Sequence, residues 1–207
     1  YGYNQIGNPY MFNISWADVQ AASGTSATLK TFDGNFVEDT ELKQFEGGFV
    51  LRGESDPEKL IIPAVKNTGG RISTRQSMRN PLSEAEWQVN FTVENGARVD
   101  RFGGIGMHPK ASIGSDEFDD FTMPRLGEYI ELNHAKERFA GLSVTKDIVP
   151  TTAAHTWSFE VATNILGVST LRWDNSYFGE NQSELMLWDE VEQRSIDMRT
   201  VMQYQFT

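Results

Sequence analysis

Large apolar residues alternate with polar ones along several separate stretches of this chain. In WQVNFTVEN, one face of an extended segment would carry only large apolar side chains, those of Trp87, Val89, Phe91 and Val93. HTWSFEVA, VSTLRW, ELMLWDE and MQYQF show the same period of two. Successive side chains of a β-strand point to opposite sides, so the pattern predicts half-buried strands. We therefore expect an all-β protein.

Turn signals separate these segments, at Glu94-Asn95-Gly96, Asp174-Asn175 and Gly179-Glu180-Asn181. Short strands divided by such turns are typical of an antiparallel β-sandwich, of jelly-roll or immunoglobulin-like type. The predicted core consists of Trp87, Phe91, Trp157, Phe159, Leu171 and Trp173. Helical evidence is thin: residues 17–22 and 83–87 each suffice for about one turn, which is unstable alone.

The composition changes between Ile62 and Pro81, where a Gly-Gly pair, two prolines and several basic residues replace the apolar pattern. Such a stretch is typical of a connector. It predicts two packed β modules, an N-terminal one over residues 1–70 and a C-terminal β-sandwich over residues 71–207. The alternative is one continuous domain in which this stretch is a long surface loop.

Charge and cysteine content exclude several classes of partner and site. The chain has 29 acidic and 18 basic residues, a net charge of -11, so a nucleic-acid backbone or an anionic membrane would repel it. It has no cysteine, which excludes disulfides, zinc-thiolate sites and cysteine nucleophiles. No apolar run approaches the roughly 20 residues that span a bilayer. Because the chain begins without methionine inside an apparent strand, we expect a fragment of a longer protein.

Catalytic constellations are not recognisable. His108, His134 and His155 are far apart and at no metal-binding spacing, so each is expected to be a surface histidine. GTSAT and GSDEF lack the second glycine of a nucleophile elbow. FGGIGM lacks the lysine and the helix of a phosphate loop, and its glycines are expected to bend a strand at an edge or bulge. The sequence therefore predicts a protein that is not an enzyme.

One acidic segment, GSDEFDDF, is the best candidate for a metal site. Asp116, Glu117, Asp119 and Asp120 concentrate hard oxygen ligands, which calcium prefers. The spacing is not that of an EF-hand loop. Calcium binding is therefore one interpretation, and a turn with solvated carboxylates is the other.

Aromatic residues near the C-terminus suggest a second kind of site. Trp188 is out of phase with Leu185 and Leu187, so it faces the opposite side of its strand if those two are buried. An exposed tryptophan, joined by Tyr177 and Phe178, is suited to stacking against a sugar ring of an extracellular polysaccharide. The alternative is a strand covered on both faces.

The opening stretch, YNQIGNPYMFNISW, resembles the GWNxIGNPYPxxIDW segment of large secreted proteins of the Bacteroidota, found just upstream of their type IX secretion sorting domain. Met11 and Ser15 stand where that family usually has proline and aspartate. Further motifs resemble the family's in the same order along the chain: FEGGFVL (45–51), LIIP (60–63), RQSMR (75–79), FDDF (118–121), LMLWDE with SID (185–197) and the closing YQF (204–206).

The resemblance implies a β-rich, non-catalytic module between an enzyme or adhesin body and the sorting domain, outside the cell or on its surface. The primary expectation is thus an accessory or adhesion module that contacts other domains of its parent protein. The alternative is a carbohydrate-binding module, supported by calcium. On either reading Gly7-Asn8-Pro9 is structural, because proline restricts its own φ angle and keeps the preceding residue extended.

Overall fold

The structure is a computed structural model that describes residues 2–53, 56–63, 85–135, 139, 141–174 and 183–207. About 46% of it is strand and 5% helix, so the all-β prediction is confirmed. The chain divides into two compact units, Tyr1–Ser77 and Met78–Thr207. The predicted boundary after Gly70 and this division both fall in residues 64–84, outside the described part. Among the described residues, no helix combines the length and apolarity needed to cross a membrane.

The first unit consists of a four-stranded sheet, one helix and a two-stranded pair. The sheet order is β1-β6-β3-β4, with antiparallel neighbours, and β2 pairs with β5. The elements are β1 (Gly2–Gly7), β2 (Ile14–Ser15), α1 (Trp16–Ser23), β3 (Leu29–Phe32), β4 (Phe36–Asp39), β5 (Glu41–Leu42) and β6 (Gly47–Arg52). The predicted turn over 17–22 thus belongs to the eight-residue helix α1. This helix ends at Ser23 and is capped by Gly24, whose φ of 68° is left-handed.

The core of the first unit lies between α1 and one face of its sheet. Trp16 is 1% exposed, and Tyr10 and Phe12 pack against the cluster with their rings stacked at 5.3 Å. The fully buried members of the cluster are the side chains of Ile14, Val19, Leu29 and Leu42. The aromatic residues that follow Pro9, namely Tyr10, Phe12 and Trp16, therefore supply core.

Asn8 connects the opening turn to distant backbone. Its side-chain amide donates to the carbonyls of Phe12 at 2.8 Å and of Leu42 and Lys43 at 3.0 Å each, and its Oδ1 accepts the N–H of Tyr10 at 2.9 Å. It is 3% exposed. The side chain of Asn8 thus provides hydrogen-bond partners for backbone groups that would otherwise have none. The GNPY turn therefore has the expected structural role.

Gly7, by contrast, is not required by the fold. A Cβ atom there would make only an ordinary contact of 4.0 Å with the carbonyl oxygen of Glu46. The structural role expected for Gly7-Asn8-Pro9 is therefore shown for Asn8 and not for Gly7.

The second unit is built on a six-stranded sheet of order β16-β13-β7-β8-β11-β9, with β10–β12 and β14–β15 as separate pairs. Among the described strands every pairing is antiparallel except the parallel β8–β11 pair. The strands are β7 (Trp87–Asn95), β8 (Arg98–Met107), β9 (Asp120–Phe121), β10 (Ile130–His134), β11 (Val144–Val149), β12 (Phe159–Thr163), β13 (Ser169–Asp174), β14 (Met186–Asp189), β15 (Arg194–Asp197) and β16 (Gln203–Phe206).

Residues from all three sheets share one apolar core in the second unit. Of the predicted core, Trp87, Phe91, Leu171 and Trp173 are buried, and Trp157 and Phe159 pack against them half-buried. The pair β10–β12 lies over the large sheet, as shown by the contact of Phe159 with Phe91, whose ring centroids are 5.5 Å apart. The alternation in the sequence thus identifies the inward face of each strand correctly.

The glycines of FGGIGM were predicted to bend a strand at an edge or a bulge; they lie in β8, between β7 and β11, so the edge alternative is wrong. A Cβ at Gly104 would approach the carbonyl oxygen of Val89 to 2.8 Å and the side chain of Lys146 to 3.3 Å. The glycines therefore let neighbouring backbone and the side chains of β11 approach closely. The pairing of β7 with β8 does shift register beyond Gly103, between Phe91 and Val93.

Candidate functional site

The acidic segment 116–120 follows β8 and ends in the first residue of β9, and Asp119 points inward. Its Oδ1 accepts the backbone N–H of Ile148 in β11 at 2.9 Å, and its Oδ2 accepts the N–H of Asp116 at 3.0 Å. Asp119 is only 2% exposed. Its carboxylate therefore attaches the segment to β11.

The other carboxylates of the segment have different partners. Asp116 accepts the N–H groups of Phe118 at 2.8 Å and Ser112 at 2.5 Å. Asp120 forms an ion pair with Lys146, the residue opposite it on β11, at 3.0 Å. Glu117 is exposed.

These four carboxylates do not form one ligand set. Within the described residues no group of three or more histidine or acidic side chains is arranged to hold a metal ion. Calcium requires six to eight oxygen ligands at about 2.3–2.6 Å, which converging carboxylates would have to supply. The structure instead uses Asp116 and Asp119 as hydrogen-bond acceptors within the fold.

Burial changes the acidity of Asp119. Desolvation raises the pKa of its carboxyl group from 3.8 to about 7, and the negative charges of Asp116 and Asp147 add to this increase. The hydrogen bonds from Ile148 and Asp116 act in the opposite direction, since they stabilise the ionised form. Asp119 is thus a buried carboxyl group that titrates near neutral pH.

The prediction of three surface histidines is wrong for His134, which is 2% exposed. Strand alternation places it on the same face of β10 as Ile130 and Leu132, and its Nε2 lies 3.0 Å from the carbonyl oxygen of Gly104. His108 and His155 are half-buried: His108 stacks on Phe118 at 4.1 Å, and His155 meets the ring of Trp157 edge-on at 4.7 Å. The structure brings none of the three together with the acidic segment as a metal site.

Trp188 lies on the outer face of the β14–β15 hairpin. It is 51% exposed, as is Met186 two residues earlier on the same face. Leu185 is buried and Leu187 packs against the core, so Trp188 faces the opposite side. Tyr177 and Phe178, the predicted companions of Trp188, lie outside the described residues.

The hairpin that carries Trp188 is held by polar contacts of the next residue. Asp189 accepts the N–H groups of Val191 at 2.8 Å and Glu192 at 2.9 Å, and the hydroxyl of Tyr204 donates to it at 2.8 Å. The bonds from Glu192 and Tyr204 lower the pKa of Asp189. These hydrogen bonds therefore hold the end of β14, the strand that carries Trp188, in place.

A polar network on β10 was not predicted from the sequence. Glu131 accepts from the guanidinium of Arg125 at 2.5 Å and from the amide of Asn133 at 2.9 Å, and Asn133 in turn accepts the hydroxyl of Thr122 at 2.8 Å. Glu131 and Asn133 are both buried. The alternation of Glu131 and Asn133 with Ile130 and Leu132 is typical of a strand, but such a pattern does not indicate that the polar face is also covered.

Comparison with known proteins gave no positive match. No protein-family model matches this chain, and neither the curated proteins nor the solved structures contain a significant match to it.

Proposed function

We propose that this chain is a non-catalytic accessory module, with a role in adhesion, of a larger secreted or cell-surface bacterial protein. The observation that carries the proposal is that the acidic segment makes its contacts within the fold. Its buried carboxylate, Asp119, accepts two backbone N–H groups, and Asp120 is paired with Lys146. Carboxylates that form such hydrogen bonds and ion pairs within the protein stabilise the fold and are poorly placed to act on a substrate.

The proposed setting is extracellular, with other domains of the parent protein as the partners. The resemblance of the opening stretch to the segment upstream of type IX sorting domains supports this setting. The absence of cysteine, which avoids free thiols in an oxidising environment, is compatible with it. The net charge of -11 argues against nucleic acid as a partner.

The test of a non-catalytic module is an activity screen of the purified chain against glycans, esters and peptides. We expect turnover no higher than in the buffer blank. Turnover that disappears in both Asp119→Asn and Asp120→Asn, but persists in the surface variant Glu117→Gln, would contradict the proposal and identify a hydrolase.

A second candidate function is carbohydrate binding, which the exposure of Trp188 favours. The indole is half exposed beside Met186 on a strand whose other face is packed. Aromatic rings present a large flat apolar surface at a low cost in conformational entropy, and sugars stack on such surfaces through their C–H faces. A single exposed tryptophan on a fixed hairpin suits weak binding along a polysaccharide chain.

The test of carbohydrate binding is affinity electrophoresis in gels that contain soluble polysaccharides. Retardation of the parent that is lost in Trp188→Ala would support this function. Val191→Ala is the matched control, because Val191 is 89% exposed on the turn of the same hairpin. Equal mobility of the parent with and without polysaccharide would exclude Trp188 as a platform for the sugars tested.

A further inference from the structure

A cleft in the first unit has features of a small-molecule site. It is lined by residues of β1 and β6, by Thr25 and Ala27, and by residues 56–60 of the segment 56–61, which we call the strap. Its volume is about 200 Å³. Pockets for drug-sized ligands have volumes of about 300–1,000 Å³, so this cleft suits a smaller molecule.

The strap is attached at both ends. At its start, Asp56 accepts the hydroxyl of Thr25 at 2.5 Å and the N–H of Gly53 at 2.7 Å. At its end, the N–H of Ile61 donates to the hydroxyl of Ser23 at 2.8 Å. The wall of the cleft is therefore held in place independently of any ligand.

The floor of the cleft is aliphatic. Antiparallel pairing of β1 with β6 places Asn4 opposite Val50, and Ile6 follows Asn4 on the same face. Ala27 is 4% exposed and Val50 6%, and Leu60 of the strap packs against the same cluster. This floor offers contacts to a short hydrocarbon chain, whose burial is favourable.

Three exposed charged side chains line the cleft. Arg52 continues the face of Val50, and Glu58 and Lys59 belong to the strap; all three are exposed. Within the described part of the chain, none of these three side chains forms a hydrogen bond or an ion pair. Other basic residues do find acidic partners in this acidic chain, as Lys43 does with Asp39 and Glu46. Two cations and one carboxylate thus remain available at one opening.

We propose that this cleft binds a small aliphatic α-amino acid. Arg52 and Lys59 bind the carboxylate of the ligand, and Glu58 binds its ammonium group. The aliphatic side chain of the ligand lies on the floor formed by Ile6, Val50 and Leu60. This site is independent of the proposed accessory and carbohydrate-binding functions, because every residue in it belongs to the first unit.

The test is a titration of the whole ¹⁵N-labelled chain with L-leucine, followed through backbone amide signals. We expect saturable shifts at Asn4, Ala27, Val50 and Leu60, with a dissociation constant of about 1 mM, because the rim is open to solvent. Two analogues separate the contributions: 4-methylpentanoate lacks the ammonium group and 3-methylbutylamine lacks the carboxylate. 4-Methylpentanoate should bind about fivefold more weakly than leucine, since an exposed ion pair contributes about 1 kcal/mol at most. 3-Methylbutylamine loses the pairs with both Arg52 and Lys59 and should bind more weakly still.

Variants test whether Arg52 and Lys59 are responsible for the binding of leucine. Arg52→Gln and Lys59→Gln should each weaken leucine binding about fivefold, while Lys110→Gln, an exposed lysine of the second unit, should leave it unchanged. The amide spectrum of each variant shows whether it is folded. Three results would overturn the proposal: no saturable shift at these amides, equal affinity in the parent and in the double variant of Arg52 and Lys59, or equal affinity for leucine and 4-methylpentanoate.

Discussion

The carboxylate of Asp119 accepts the backbone N–H of Ile148 across 2.9 Å, and this bond joins the acidic segment to β11. The two residues are 29 positions apart in the chain, and both are buried. The bond gives an N–H group of β11 a partner inside the protein. It also places a carboxyl group where its ionisation is costly, because burial removes the water that would stabilise the charge.

The stability of the second unit should fall as the pH rises from about 4 to about 7. The pKa of Asp119 is about 7 in the folded protein against 3.8 for an unperturbed carboxyl, so in this range the folded state binds more protons than the unfolded state. The loss is about 1.4 kcal/mol for each pH unit at its steepest. Chemical denaturation of the parent and of Asp119→Asn across this range measures it as the difference in their free energies of unfolding.

Asp120→Asn is the matched control for this pH effect. It removes the ion pair between Asp120, whose side chain is 23% exposed, and Lys146, whose side chain is 20% exposed. The free energy of unfolding should fall by less than about 1 kcal/mol. The pH-dependent loss should persist in this variant. If the difference between the free energies of unfolding of the parent and Asp119→Asn does not change with pH, Asp119 does not titrate in this range.

Asn8→Ala should destabilise the first unit by about 2–3 kcal/mol, because it leaves the buried carbonyl of Leu42, the part-buried carbonyls of Phe12 and Lys43 and the N–H of Tyr10 without their partner. Asn8→Asp should also destabilise the first unit, since a carboxylate oxygen, which cannot donate a hydrogen bond, would then face those carbonyl oxygens. Hydrogen exchange of the amides in the first unit measures both effects. Asn4→Ala is the control, as Asn4 is exposed and has one weak bond of 3.4 Å to the carbonyl of Gly2. Equal protection in the Asn8 and Asn4 variants would contradict the role given to Asn8.

Gly104→Ala should cost the second unit about 2–3 kcal/mol, because the new methyl group would lie 2.8 Å from the carbonyl oxygen of Val89 in a closely packed sheet. Gly114→Ala adds the same methyl group where no atom lies within 4 Å, and should change stability by less than about 0.5 kcal/mol. Urea denaturation followed by the fluorescence of the core tryptophans compares the two. Similar midpoints would mean that β8 and β7 can separate without cost.

Calcium should leave the unfolding midpoint of the chain unchanged within about 1 °C, because the four carboxylates of the acidic segment do not converge. The measurement compares thermal unfolding in millimolar calcium and in chelator. A metal bound to the native state alone at a hundredfold excess over its dissociation constant would add about 2.7 kcal/mol. That corresponds to a rise of several degrees, at roughly 2–4 °C per kcal/mol. Such a rise, abolished in the double variant of Asp119 and Asp120, would establish a calcium site in the acidic segment.

Several elements were predictable from the sequence because their cause is local. The period of two along residues 87–95 identifies β7 and its inward face, since adjacent side chains of any strand point to opposite sides. The same reasoning identifies Leu171 and Trp173 as core, and it places Trp188 opposite Leu187. Proline at position 9 likewise indicated a stiff turn from its own covalent geometry.

The direction of each polar group was decided only by the tertiary structure. Asp119 and Asp120 are neighbours with the same chemistry, yet one is buried against Ile148 and the other is paired with Lys146 near the surface. His134 is buried because the face of β10 that carries it packs on the large sheet, where its Nε2 lies 3.0 Å from the carbonyl oxygen of Gly104. Asn8 finds its acceptor Leu42 at a distance of 34 residues along the chain. A buried hydrogen bond depends on where two distant segments meet, and a local pattern of residues contains no information on that meeting point.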